Sequence, residues 1–130
     1  MSILNTFIED CKRTESGHFP LGNMFDGTPY LLKTDRLLHA AMGMTTESGE
    51  FLDPLKKHLF YGKPLDSTNL KEELGDLLWY IAIACDALDT TIEDEMIRVI
   101  NKLKTRFPDK FSSDHAIHRD LTAERKALEE

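Results

Sequence analysis

Apolar residues recur along this chain every three to four positions, the period of an amphipathic α-helix. No strand pair and no internal repeat breaks that rhythm, so the pattern predicts an all-α fold. Ile3, Phe7 and Ile8 predict a first helix over residues 2–12. From Thr14 to Thr34 the chain carries Gly17, Pro20, Gly22, Gly27 and Pro29. That density of helix breakers predicts an irregular segment, long enough to be a lid or binding loop rather than a plain connection. A second helix is expected from Thr34 as N-cap, with Leu37, Leu38, Ala41, Met42 and Met44 on its apolar face. Pro54 lies inside this pattern and predicts a kink or a break. Tyr61-Gly62-Lys63-Pro64 is a stop signal.

Asp66, Ser67, Thr68 and Asn69 are candidate N-caps for a third helix to about Leu88, with Leu70, Leu74, Leu77, Leu78, Ile81, Ala82 and Cys85 at helical spacing. Thr90 followed by Glu93 resembles a capping box. It opens a fourth helix through Ile92, Met96, Ile97, Val99, Ile100 and Leu103, ending before Pro108. The polar tail is expected to hold a short helix in LTAERKALEE or to cross to a partner subunit. The expected architecture is a bundle of four to five helices. Their apolar faces exceed what a small monomeric core buries, so the core is expected to be completed by a homo-oligomer, a dimer or a tetramer.

A length of 130 residues suits one domain. Within it, residues 1–35 form an N-terminal helix and the Gly/Pro-rich segment, 36–108 the central helices, and 109–130 the polar tail. No apolar run approaches the ~20 residues of a membrane span. The N-terminus mixes charges into its first turns, unlike a secretory signal. A cytoplasmic protein with no membrane partner is therefore expected. Cys11 and Cys85 are too few and too far apart for a zinc site or a disulfide framework, and Cys85 sits in an apolar run expected to be core. The net charge of −7 argues against a nucleic-acid partner. A protein this acidic binds a polyanion such as a nucleotide only where metal ions or a local basic cluster offset the repulsion.

Glu47 and Glu50 lie three apart on the second predicted helix, and Glu73 and Asp76 three apart on the third. Side chains at i and i+3 share a helix face, so each helix presents two carboxylates to one point. The alternative is two solvated stripes on amphipathic helices. The setting favours convergence: Glu73 and Asp76 are embedded among Leu70, Leu74, Leu77, Leu78 and Trp79, and carboxylates near a core need partners or metal. A di-iron carboxylate bundle requires Glu-x-x-His pairs, which this sequence lacks. Oxygen-only ligands favour Mg²⁺, with Mn²⁺ as a substitute. His39, eight residues before Glu47, and Tyr80, four after Asp76, fall on the same faces as the acids. Lys102, Lys104 and Arg106, beside Asn101, form a basic cluster at the end of the fourth helix, which also suits a helix C-terminus. Trp79 is expected mainly to pack in the core. His115 and His118 stand three apart, but a polar tail with no third ligand argues against a metal there.

The pattern E-x-x-E, a spacer, then E-x-x-D resembles the motif of the all-α nucleoside triphosphate pyrophosphatases, the MazG-like group. Here it reads Glu47-Ser-Gly-Glu50 and Glu73-Leu-Gly-Asp76, within TTESGEFLDPLKKHLFYGKPLD and KEELGDLLWYIA, followed by NKLKTRFPDKF. The resemblance runs over about residues 36–120 and is similar in kind to the short single-domain members of phages and bacteria. It implies cleavage of a (deoxy)nucleoside triphosphate to a monophosphate and pyrophosphate, with more than one Mg²⁺ held by Glu47, Glu50, Glu73 and Asp76. It further implies that Glu50 or Glu72 orients or deprotonates the attacking water. His39 and Tyr80 are implied to line the nucleotide pocket, and Asn101, Lys102, Lys104 and Arg106 to contact phosphates. Control of nucleotide pools is the implied role. The alternatives are a phosphoribosyl-ATP or dUTP-specific hydrolase of the same superfamily, or a non-catalytic helical binding module. Pro54 departs from the pattern, and the chain before residue 36 matches no motif of the group.

Overall fold

The computed structural model describes residues 2–17 and 29–130, and the described residues form no strand. They form a 3₁₀ turn at Ile3–Asn5 and six α-helices: α1 (Phe7–Lys12), α2 (Pro29–Tyr61), α3 (Ser67–Ala87), α4 (Ile92–Arg106), α5 (Ser113–Ile117) and α6 (Leu121–Glu129). The all-α expectation holds, and α6 is the short helix expected in the tail. The chain divides into two compact units, Met1–Thr91 and Ile92–Glu130.

Three boundaries differ from expectation. The first helix is split, because the Thr6 N–H bonds the Ile3 carbonyl at 3.1 Å, an i to i−3 closure that winds residues 3–6 as a 3₁₀ turn. The second helix starts at Pro29, not at Thr34. A proline is tolerated in the first turn of a helix, where its missing N–H forfeits no intrahelical hydrogen bond, so Pro29 does not exclude helix here. Residues 18–28 of the expected irregular segment lie outside the described residues. Finally, α2 runs on through Pro54 without ending. Proline there removes the donor for the Glu50 carbonyl, a cost of about 3 kcal/mol that burial of the Pro54 ring helps to offset.

In the first unit α2 packs on α3, and α1 on α3. The α2–α3 register is antiparallel: Arg36 meets Asp86, Gly43 meets Tyr80, and Glu47 meets Asp76. Gly62, at φ +65, closes α2 in the left-handed conformation that glycine alone adopts freely. The Asp66 carboxylate then accepts the Asn69 N–H at 3.0 Å and caps α3. At the far end of α3 the Thr90 N–H returns to the Cys85 carbonyl at 3.0 Å, which places Asp89 at φ +56. Among the described residues, the buried apolar side chains of this unit are Cys11, Ala40, Ala82, Ile83, Cys85 and Ala87. A polar knot supplements them. The Arg36 guanidinium forks onto Glu15 at 2.8 and 2.9 Å and reaches Asp86 at 2.7 Å, while Lys12 meets the other oxygen of Asp86 at 3.1 Å. Helices α1, α2 and α3 are thereby tied by charge-assisted bonds.

In the second unit α4 packs on α6. Its central contact is polar. Glu124, only 3% exposed, accepts two hydrogen bonds from Arg106 at 2.9 and 2.7 Å and two from Arg119 at 3.1 and 2.6 Å. These bonds, Arg106 first, hold the Glu124 carboxyl far below the usual carboxylate range. The Asp120 side chain caps α6 on the Ala123 N–H at 2.9 Å and fixes the turn that delivers Glu124.

Two stability predictions follow from these ends and clamps. Asp89→Gly removes the left-handed penalty of a non-glycine residue and is expected to stabilise the fold by roughly 0.5–1 kcal/mol, read as a higher urea midpoint. The Lys33–Asp89 pair it gives up, at 3.7 Å on the surface, is a minor loss. Glu124 has a folded pKa below its unfolded one, so folding favours its ionised form. Its contribution is complete above the ordinary value of 4.5 and drains away as pH falls below it. Urea midpoints of wild type and Glu124→Gln are therefore expected to differ fully near neutrality and to converge in acid; a gap that widens in acid contradicts the clamp.

Candidate metal centre

The antiparallel register of α2 and α3 sets Glu47 opposite Glu73 and Asp76. One carboxylate oxygen from each lies within 4.8 Å of the others. The three sit at graded depth. Glu73 is buried, at 4% exposure, Glu47 is half-buried and Asp76 is exposed. Asn69, one turn before Glu73, donates its side-chain amide to Glu73 Oε1 at 2.6 Å. That bond occupies one oxygen of Glu73 and fixes the plane of the carboxylate.

Such a cluster is electrostatically unfavourable without a cation. The Glu47 carboxyl is pushed above its ordinary value by burial first, then by the negative charges of Glu50 and Asp76 and by a hydrogen bond with Glu73. Two carboxyl groups share a hydrogen bond only if a proton sits between them, and a divalent cation replaces that proton with more charge. The donor set is oxygen only and partly desolvated, which suits a hard cation such as Mg²⁺ or Mn²⁺. The residues present therefore fit the ion that the motif implies. Among the described residues no other group of three or more carboxylate, histidine or cysteine ligands converges in this way.

A cleft of about 290 Å³ opens beside the acids, lined by Thr14, Glu47, Asp76, Trp79 and Tyr80. Its aromatic wall is tightly set. Trp79 and Tyr80 meet edge to face at 4.9 Å between centroids, and His39 stands edge-on to Tyr80 at 5.6 Å and to Trp79 at 6.3 Å. The Trp79 indole N–H donates to the Thr14 hydroxyl at 2.8 Å, and that hydroxyl donates to the Cys11 carbonyl at 2.9 Å. Trp79 is thus half-buried and faces the cleft rather than closing a core.

The other candidate residues divide between the two units. Glu50 and Glu72 are exposed and stand outside the three-oxygen cluster, with Glu50 close enough to raise Glu47. Asn101, Lys102, Lys104 and Arg106 belong to the second unit. There Arg106 is engaged with Glu124, while Asn101 and Lys104 are exposed and Lys102 is half-buried. His118 bonds Asp114 at 2.9 Å, and the His115 ring stands edge-on to Phe107. Three residues beside the site were not read as part of it from the sequence. Asn69 was legible as a polar residue one turn from Glu73. Gly43 was legible as a glycine inside a helix. Thr14 carries no local signal, since its partner lies 65 residues away.

The family model of the MazG nucleotide pyrophosphohydrolase domain matches residues 37–111. A curated relative, the gene 37 protein of Mycobacterium phage L5, is 32% identical over 74 residues, which is 54% of this chain and 65% of that protein. The chain therefore spans less than two thirds of that relative's length. No solved structure matches.

The charge cluster predicts opposite responses to mutation and to metal. The folded pKa of Glu47 is raised, so ionising it opposes folding. That penalty is absent below the ordinary value of 4.5 and present near neutrality. Without divalent ions, Glu47→Gln is expected to melt above wild type near pH 7. Millimolar Mg²⁺ is expected to raise the wild-type melting temperature and leave the variant almost unmoved. Equal shifts in both proteins would place the ion elsewhere.

Proposed function

The chain belongs to the MazG nucleotide pyrophosphohydrolase family, and on that premise we propose that it cleaves a nucleoside triphosphate between the α- and β-phosphates with Mg²⁺ as cofactor. The products are a nucleoside monophosphate and pyrophosphate. The observation that carries this reading is the convergence of Glu47, Glu73 and Asp76 at the edge of a cleft with an aromatic wall.

Glu47, Glu73 and Asp76 would hold the cation, with Glu50 beside them as a further carboxylate for a second ion. When bound, Mg²⁺ lowers the pKa of water and offsets charge on the phosphoryl oxygens and the leaving pyrophosphate. Asn69 keeps Glu73 in one orientation, so this ligand is arranged before anything binds. Glu50, exposed and electrostatically coupled to Glu47, is suited to take the proton of the attacking water; the exposed Glu72 is the other candidate. The Trp79, Tyr80 and His39 rings offer apolar faces and edges to a base or sugar. Asn101, Lys102, Lys104 and Arg106 are the candidates for phosphate contacts, and of these Arg106 must share its charge with Glu124.

A homo-oligomer, dimer or tetramer, belongs to the same reading. Leu52, Leu59, Phe60, Leu74 and Leu78 leave apolar surface exposed on α2 and α3, and association removes such surface from water. No helix of the described residues is long and apolar enough to cross a membrane. The proposed role is control of free nucleotide pools in the cytoplasm.

Incubation with Mg²⁺ in ¹⁸O-water and a panel of nucleotides, dUTP and phosphoribosyl-ATP included, tests the reaction. Monophosphate plus pyrophosphate is expected. Diphosphate plus orthophosphate, or no turnover with any nucleotide, would sink the proposal. Glu73→Ala and Asp76→Ala are each expected to lower kcat by about 100-fold or more while circular dichroism keeps its helical signal.

A further inference from the structure

Gly43 sits in the interior of α2, where glycine costs about 1 kcal/mol relative to alanine. It is buried. A Cβ built on it falls within 3.0 Å of three atoms of the Tyr80 ring, Cε1, Cζ and Cδ1, a separation that real Cβ atoms essentially never show. The Tyr80 ring therefore lies directly on bare α2 backbone. The two glycines inside the acidic motif differ: a Cβ on Gly49 or on Gly75 meets nothing within 4 Å.

From this contrast we infer that Gly43, outside the motif, is the positioning residue that sets the α2–α3 separation at which Glu47, Glu73 and Asp76 meet. The inference rests on the metal-centre reading above. Gly43 stands one turn before Glu47, and Tyr80 one turn after Asp76, so their contact lies about 5–6 Å along the helix pair from the carboxylates. Tyr80 has little freedom to step aside. Its ring is held edge-on by His39 and by Trp79, and Trp79 is held in turn by Thr14. A methyl group at position 43 must then part the helices, or move the ring, by on the order of an ångström to reach van der Waals distance. Carboxylate ligands tolerate only about half an ångström before coordination suffers. The glycine thus spends helix propensity to keep two facing turns close, and the acids one turn away inherit that spacing.

Mn²⁺ affinity of the full chain, measured by calorimetry, tests this without reference to turnover. The proteins are wild type, Gly43→Ala, Tyr80→Ala, the double variant and Gly75→Ala. Gly43→Ala is expected to weaken Mn²⁺ binding by about tenfold or more. Gly75→Ala is expected to stay within about twofold of wild type. Adding Gly43→Ala to Tyr80→Ala is expected to cost less than about twofold, because the obstructing ring is gone. A Gly43→Ala protein that binds like wild type overturns the inference, as does an equal loss in both backgrounds. If Gly43→Ala does not fold, the pair Tyr80→Ala and double variant decides. A double variant that folds and binds like Tyr80→Ala supports the inference, and one that does not fold overturns it. Wild type with no Mn²⁺ binding fails the metal-centre reading itself, a result distinct from failure of the spacing argument.

Discussion

Three carboxylate oxygens held within 4.8 Å repel one another, and the first unit is arranged so that they meet nonetheless. Folding tolerates this because the repulsion is spread over depth and shared with partners. Asn69 satisfies the buried Glu73, Asp76 stays in water, and Glu47 takes up the conflict through its raised pKa. The same conflict suits the place to a cation, since added positive charge relieves it. What the site can do chemically and what it costs the fold are thus one electrostatic fact.

Among the described residues of the scaffold that holds the acids, the fully buried apolar side chains are mostly small. Ile83 is the largest fully buried side chain among the described residues. Charged contacts supplement them. Arg36, Glu15, Asp86 and Lys12 tie three helices of the first unit, and Glu124 between Arg106 and Arg119 ties the second. Contacts of this kind are directional, so they define register better than they add stability. The apolar side chains left exposed on α2 and α3 underlie the proposed self-association.

Much of the fold was legible from periodicity. Helices α3, α4 and α6 lie where the sequence pattern places them, because that signal is local; Asp66, among the expected caps, opens α3, and Asp120 opens α6, whereas α4 begins at Ile92, one residue later than a Thr90 cap would set it. The described part of α2 reaches back past the expected Thr34 to Pro29, since a proline excludes helix or not according to its position. Of the kink or break expected at Pro54, the break does not occur. A helix of 33 residues has enough other bonds and burial to carry one missing donor. Of the site, the acids and their oxygen-only chemistry were legible from spacing within single helices. The place of Trp79 on the cleft was not, because it depends on Thr14, a partner distant in sequence.

Spacing along each helix already paired Glu47 with Glu50 and Glu73 with Asp76, and the motif words around them already carried the family. Such properties repeat every turn and need no knowledge of a neighbour. Packing made a finer choice. It joined Glu47 to Glu73 and Asp76, left Glu50 at the edge, and set the aromatic wall beside them. The register between α2 and α3 makes that choice, and register depends on contacts between residues far apart in the chain, Arg36 with Asp86 and Gly43 with Tyr80 among them.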